Sequence, residues 1–222
     1  MRPTASPIFE RLAKNKQDLI LSAATDEFAE HGFHQASISR LVRKLSIAKG
    51  SIFQYFGSKE GLFEHLFSSY VEEFKNPLRA LRAKEQSFFD HVRDIMLASL
   101  DFIEAHPKIF RTYLKVLYEE NVPFRERIIN RVKGYTQELL IPLIRDAQKQ
   151  GELRPDLDPE LVLFMVDGML GRLLQARTVP GLAQDIIFQD QQVARDWAVQ
   201  LADVLHRGLA PLAPQEPQHP QE

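Results

Sequence analysis

Apolar residues recur three and four positions apart along almost the whole chain, and no stretch keeps the period of two that a half-buried strand requires. The pattern predicts an all-α protein. A first helix is expected from about Asn15 to His31, burying Leu19, Ile20, Ala23, Ala24 and Phe28, with Gly32 as its C-terminal cap. A short second helix should start at Ser37, whose hydroxyl can cap it, and bury Ile38, Leu41, Val42 and Leu45. A third is expected over Lys49 to Phe56 with Ile52 and Phe56 inward. Ser58 should cap a fourth, which carries Gly61 at its third position instead of the Glu of a capping box. That helix is expected to end near Asn76, where Pro77 removes a backbone donor.

Longer segments follow: Ser87 to Ala105, Pro107 to Glu120, Pro123 to Gln150 with Pro142 as a kink, Asp158 to Arg177, and Gln189 to Leu209. Asp158-Pro159-Glu160 combines a capping carboxylate, a proline at the first helical position and an acid in the first turn. Pro211 to Glu222 is rich in Pro, Gln and Glu with almost nothing to bury, so a disordered tail is expected there.

The formal net charge of -2 hides an asymmetry. Residues 1 to 60 hold nine Lys or Arg against six Asp or Glu, whereas the rest holds nineteen against twenty-four. A basic end on an acidic body suits a head that meets a polyanion, and it also suits a merely solvated face. The absence of cysteine excludes disulfides, thiolate metal sites and cysteine nucleophiles. Residues 1 to 10 lack a signal-peptide pattern and no apolar run approaches the roughly 20 residues of a membrane span, so a cytoplasmic protein is expected.

Chemistry for an enzyme is sparse. The Glu-x-x-His at Glu216 and His219 lies in the Pro-rich tail and cannot present ligands from a helix. Asp203 with His206 is a lone helical pair, His31 and His34 flank a turn, and no phosphate-cradling glycine loop or Gly-x-Ser-x-Gly elbow is present. The expectation is a protein without catalytic activity, metal or cofactor.

The segment Ser37 to Phe56 carries the functional signal. Two short helices with a tight connection fit a helix-turn-helix, in which the second helix enters the DNA major groove. Leu41, Val42, Leu45, Ile47, Ile52 and Phe56 would lock the pair, leaving Lys49, Ser51, Gln54 and Tyr55 on or near the outer face. Lysine neutralises phosphate or reads guanine, glutamine pairs bidentately with adenine, and hydroxyls reach phosphate oxygens. On these grounds alone the segment fits an ordinary helical hairpin equally well.

The continuation narrows the choice. Ile47 to Phe67 contains Lys-Gly-Ser-Ile-Phe-Gln-Tyr-Phe-Gly-Ser-Lys-Glu-Gly-Leu-Phe, and Ile20 to Phe33 reads Ile-Leu-Ser-Ala-Ala-Thr-Asp-Glu-Phe-Ala-Glu-His-Gly-Phe. Together, over residues 15 to 67, they resemble the DNA-binding signature of the tetracycline-repressor (TetR) family. The resemblance implies an N-terminal three-helix DNA-binding domain with a helix-turn-helix, over residues 1–57. It also implies a larger helical domain for effector binding and dimerisation, over 58–210, ahead of the tail 211–222. Residue by residue, Lys49, Gly50, Ser51, Phe53, Gln54 and Tyr55 match recognition-helix positions, and Ser37 and Lys59 match positions that hold phosphates at helix starts. Arg40 and Arg43 are either phosphate contacts or solvated. Three residues depart from the family pattern: Ser46 for a turn glycine, Ala48 for a capping serine, and Phe53 for a tyrosine.

The implied function is a ligand-responsive transcriptional regulator, a repressor released from its operator by a small molecule. Its partners would be a pseudo-palindromic double-stranded DNA operator, a second copy of the chain, and an effector of apolar or aromatic character. Candidate pocket residues are Phe102, Phe110, Tyr113, Leu114, Leu117, Tyr118, Phe124 and Tyr135, each of which also suits the core. Candidate dimer residues are Phe164, Met165, Gly168, Met169, Trp197, Leu201 and Leu205, on faces that also include Leu161, Leu173 and Gly171. They too suit a protomer core.

Overall fold

The computed structural model describes residues 5–118, 121–182 and 190–211. Among these, every regular element is a helix: α1 (Pro7–Glu10), α2 (Lys14–Gln35), α3 (Ile38–Leu45), α4 (Lys49–Phe56), α5 (Lys59–Arg82), α6 (Phe88–Ala105), α7 (Pro107–Tyr118), α8 (Arg125–Gln150), α9 (Pro159–Thr178) and α10 (Gln191–Leu209). The expected ends at Glu120 and Gln189, the tail beyond Pro211 and the Glu216–His219 pair lie outside the described residues. The described residues fall into two compact units, Met1–Leu81 with Ala98–Tyr135, and Arg82–Leu97 with Thr136–Glu222.

The first unit has a core drawn from seven of its helices, α1 to α5, α7 and the start of α8, and from the segment between α7 and α8. Ile20, Ala24 and Phe28 of α2 meet Leu41 of α3, Ile52 of α4, Leu62, Phe63 and Leu66 of α5, Ile109 and Val116 of α7, and Phe124. Phe63 lies at its centre, 4.8 Å from Phe28 and 4.9 Å from Phe124 between ring centroids. The helix-turn-helix therefore shares its apolar core with α7 and with Phe124. Phe124 is fully buried, 4.7 Å from the Phe33 ring, so of its two expected roles it takes the core one.

The helix ends obey local chemistry. Gly32 breaks α2 at φ 68° and ψ 175°, an extended-ψ conformation at positive φ that glycine alone adopts cheaply. Ser58 accepts a hydrogen bond from the Gly61 amide at 2.9 Å. A Cβ on Gly61 would lie 2.0 Å from the carbonyl oxygen of Phe56, so no side chain fits at the position where a capping box has Glu. Elsewhere the sequence reading needs correction. Leu19 is 59% exposed, because the buried stripe of α2 runs through Ile20, Ala23, Ala24, Glu27 and Phe28 and leaves Leu19 about 100° off it. Helix α5 also continues through Pro77 to Arg82, and Leu78, 1% exposed, is buried just beyond the proline. Burial of an apolar side chain offsets the loss of one helical hydrogen bond.

In the second unit, α9 and α10 pack together. Ala194, Ala198 and Ala202 repeat every fourth residue on the inner face of α10, followed by Leu205 and Leu209, and small side chains permit close approach. Asp158 and Asp190 cap the two helices through Glu160, Gln192 and Val193 amides. Leu205 and Leu173 are each 3% exposed and belong to the protomer interior, which corrects the expectation that they face a second copy. Asp203 pairs with Arg207 at 3.0 Å, while His206 stacks on Phe89 at 4.3 Å. No helix among the described residues is long and apolar enough to cross a membrane.

Gly61→Ala should destabilise the protein by about 2 to 3 kcal/mol, because the methyl group collides with backbone that cannot yield. Urea denaturation measures this, and a loss under about 0.5 kcal/mol, the scale of an uninvolved surface position, contradicts it.

Candidate nucleic-acid interface

The interface is built from α2 outward. Glu27 falls on the buried stripe of α2, where an unpartnered carboxylate is costly. It accepts the Ser37 amide at 2.7 Å and the Arg40 Nε at 3.0 and 2.9 Å on its two oxygens, so a single acid holds the first turn of α3. Ser37 caps that turn by accepting the Arg40 amide at 3.3 Å. One residue earlier on α2, Asp26 pairs with Lys44 of α3 at 2.8 Å and Lys108 of α7 at 2.6 Å.

Electrostatics follow from these contacts. Burial pushes the Glu27 carboxyl up, but the Arg40 and Ser37 hydrogen bonds and the adjacent positive charge outweigh it and hold the group below its ordinary value. Hydrogen bonds from Lys108 and then Lys44 hold Asp26 below its ordinary value, against the effect of burial.

The turn into α4 bears out two departures noted in the sequence. Ser46 adopts the left-handed conformation, at φ 53° and ψ 40°, and is alone among the described non-glycine residues in having positive φ. Ala48 precedes α4 and makes no side-chain cap, leaving the first backbone donors of that helix without one. On α4, Ile52 is fully buried while Lys49, Gly50, Phe53 and Gln54 are exposed and Ser51 is half-buried. Lys49, Ser51 and Gln54 thus occupy the outer face that the sequence pattern assigned to them. Phe53, 43% exposed, presents its ring to solvent. A Cβ on Gly50 would meet nothing within 4 Å, so the close packing that glycine permits there is not to this protein's own atoms.

Three expectations need revision. Tyr55 is 8% exposed, with its ring 5.7 Å from Phe9, because the helical period turns position 55 inward with Ile52. Arg40 is engaged by Glu27 and by the Gln35 carbonyl at 3.2 Å, so it locks α2 to α3. The Lys59 ammonium directs its donors to the carbonyls of Phe33, His34 and Ala36 at 2.8, 3.1 and 3.2 Å and sits 4.6 Å over the Phe33 ring. It closes the open C-terminal end of α2, and what α5 offers an anion is the backbone of its first turn. Of the cations on α3 and α4, Arg43 and Lys49 are exposed with no acid engaging them.

Sequence reasoning missed Glu27 and α1. The signal for Glu27 was present, since a carboxylate at the fourth position of an apolar stripe demands a partner. For α1 the signal was only Pro7-Ile8-Phe9, too short for a periodic pattern.

Of the pocket candidates, Phe102 lies 4.8 Å from Phe74, Tyr113 lies 5.8 Å from Phe67, and Lys75 stands 4.6 Å over the Tyr135 ring. Tyr118 is 67% exposed, so it is not enclosed by its own protomer. No group of three or more metal-ligating side chains occurs among the described residues.

A short capped helix, a left-handed turn and a second short helix with a polar outer face define a helix-turn-helix unit of the DNA-binding kind. Residues 20–66 match the model for bacterial regulatory proteins of the tetR family. The fatty acid metabolism regulator protein of Bacillus subtilis is 27% identical over 156 residues, 68% of this chain and 77% of that protein. A TetR-family transcriptional regulator from Chloroflexus aurantiacus has a similar fold, with a TM-score of 0.73 at 24% identity over 94% of this chain and all of that one. A regulator from Bacillus subtilis solved in complex with stearoyl-CoA gives 0.67 at 20% identity, over 82% of this chain and 96% of that one. The segment of residues 20–66 is thus similar to the DNA-binding segment of the tetR family of bacterial regulatory proteins.

The depressed Glu27 carboxyl contributes stability that is fully present above its unfolded pKa, about 4, and is lost as the pH falls through the lower folded value. Glu27→Gln should therefore melt below the wild type at pH 7, with the gap narrowing as the pH falls below about 4. A gap that stays constant down to pH 2 contradicts this role.

Proposed function

We propose that the protein is a ligand-responsive repressor that binds an operator as a homodimer and leaves it when a small molecule binds. The observation that carries this reading is the outer face of α4, where Lys49, Gly50, Phe53 and Gln54 are exposed on a helix whose other side is locked into the core. In this reading the head of residues 1–57 enters the major groove, Gln54 reads a base edge, Phe53 touches a thymine methyl, and Lys49 and Arg43 neutralise phosphates. The Ser37 and Lys59 positions contribute helix starts whose backbone donors face the anionic strand. The polar reach of Tyr55 is limited to its hydroxyl, since the ring is inside. Such a protein acts where the chromosome is, in the cytoplasm.

Dimerisation through residues 58–210 is supported by an apolar face left exposed among the described residues. Leu161, Phe164 and Met165 of α9 are 49%, 74% and 36% exposed, and Val204 of α10 is 60% exposed beside the half-buried Trp197 and Leu201. A Cβ at Gly168 or Gly171 would meet nothing within 4 Å, so these gaps can admit a neighbouring helix. A twofold pairing of such faces is the commonest closed solution, and binding two half-sites one turn of DNA apart would require heads roughly 34 to 36 Å apart.

The effector is an apolar acyl compound, a fatty acid or its thioester, in this reading. The similarity to a fatty acid metabolism regulator and to a structure holding stearoyl-CoA supports that class, as do Phe102, Phe110 and Tyr113. The ligand acts by preferring a spacing of heads that the operator does not fit.

Selection of bound DNA from a random pool at fixed salt should return a pseudo-palindrome, and Gln54→Ala should relax preference at one base pair per half-site by about 1 to 3 kcal/mol. A pool with no consensus contradicts the reading. Phe164→Glu should give soluble monomers by light scattering, because the charge would enter the interface. A dimer of unchanged size would move that interface elsewhere. Long-chain acyl-CoA should raise the melting temperature and weaken operator binding, and stabilisation without loss of DNA affinity would remove it as the effector.

A further inference from the structure

Helix α1 precedes the segment that matches the family and packs on the C-terminal turn of α4, with further contacts to α5 and α2. The last four carbonyls of any helix lack intrahelical partners. In α4 the carbonyl of Phe53 accepts the Gly57 amide at 2.8 Å, and the carbonyl of Tyr55 accepts the Ser6 amide, also at 2.8 Å. Phe9, 2% exposed, lies 4.7 Å from Phe56, 5.7 Å from Tyr55 and 5.4 Å from His65 between ring centroids. The far end of α1 is pinned as well, because Gln17 of α2 donates to the carbonyls of Glu10 at 3.1 Å and Leu12 at 2.9 Å.

We infer that α1 is a positioning element for DNA reading: Ser6 and Phe9 brace the C-terminal turn of α4 and so set the angle at which Gln54 meets a base edge. This rests on α4 being the recognition helix. An eight-residue helix does not hold its own conformation in water, so its orientation comes from what it packs on. Its N-terminal end follows the Ser46 turn, and its C-terminal end is held by α5 and by α1. Gln54 is adjacent to Tyr55, whose carbonyl and ring are both contacted by α1. Hydrogen bonds to base edges weaken steeply with misalignment, whereas phosphate neutralisation tolerates it. Loosening α1 therefore costs sequence discrimination before it costs general affinity for DNA.

The test uses the full chain and two DNAs, the selected site and a scrambled duplex, with the wild type and Ser6→Pro, Phe9→Ala, Phe9→Leu and Gln54→Ala variants. Ser6 has φ -61°, which proline also adopts, so Ser6→Pro removes the amide donor without straining φ at that residue. Phe9→Ala should reduce the affinity ratio between the two DNAs about tenfold, with scrambled-DNA affinity and its salt slope unchanged. Ser6→Pro should reduce the ratio less, Phe9→Leu should restore most of it, and amide exchange at Phe56 and Gly57 should quicken in step with the ratio. If Phe9 merely supports folding, both affinities fall together in proportion to the folded fraction, which overturns the proposal. So does an unchanged ratio in Ser6→Pro and Phe9→Ala while Gln54→Ala relaxes it, and where Phe9→Ala does not fold, an unchanged ratio in Ser6→Pro alone suffices. A wild type that selects no sequence overturns the recognition-helix reading, and this inference with it.

Discussion

The head depends on one buried carboxylate. Glu27 lies on the apolar stripe of α2, and a charge there is tolerable only when paired and fully hydrogen-bonded. Its partners, the Ser37 amide and the Arg40 guanidinium, both belong to the start of α3. The electrostatic requirement of α2 is therefore met only by one placement of α3. From there the chain has little freedom: α3 ends at the left-handed Ser46, α4 begins three residues later, and Lys59 at the start of α5 returns to the carbonyls at the end of α2. The loop from α2 to α5 is closed by charge-assisted hydrogen bonds at both ends.

This arrangement divides the basic residues of α3, α4 and the start of α5 into two groups. Arg40, Lys44 and Lys59 are engaged by Glu27, by Asp26 and by backbone carbonyls, so their charges serve the fold. Arg43 and Lys49 are left at the surface beside the outer face of α4. The excess of nine basic over six acidic residues in the first sixty understates the point, because which cations face outward matters more than how many there are. Asp26 adds a link of another kind, since Lys108 of α7 and Lys44 of α3 share one carboxylate within the same compact unit.

Much of the head was legible in the sequence because its signals are local. The Ser37 cap, the break at Gly32, the span of α4 and the awkward Ser46 and Ala48 all depend on residues within a few positions of one another. What was not legible depends on distant partners. Lys59 and Arg40 read as cations available for phosphate, and only the folded chain brings the carbonyls 23 to 26 residues away and Glu27 within reach. Tyr55 reads as outward from its polar neighbours, yet Phe9 buries it from a helix of four residues that no periodicity can announce. Pro77 reads as a stop, and the burial of Leu78 carries α5 past it. In the second unit the apolar stripes of α9 and α10 were visible, but not how each divides: Leu173 and Leu205 went inward while Phe164 and Val204 stayed out.

The central claim is that internal pairing decides which cations of the head meet DNA, and the salt dependence of operator affinity tests it most directly. Each phosphate contact contributes about 0.9 to the slope of log affinity against log salt. Arg43→Ala and Lys49→Ala should each lower that slope by about 1. Arg40→Ala should leave the slope unchanged and lower the melting temperature instead, because its charge is held by Glu27. A drop in slope for Arg40→Ala with none for Arg43→Ala and Lys49→Ala would contradict the account.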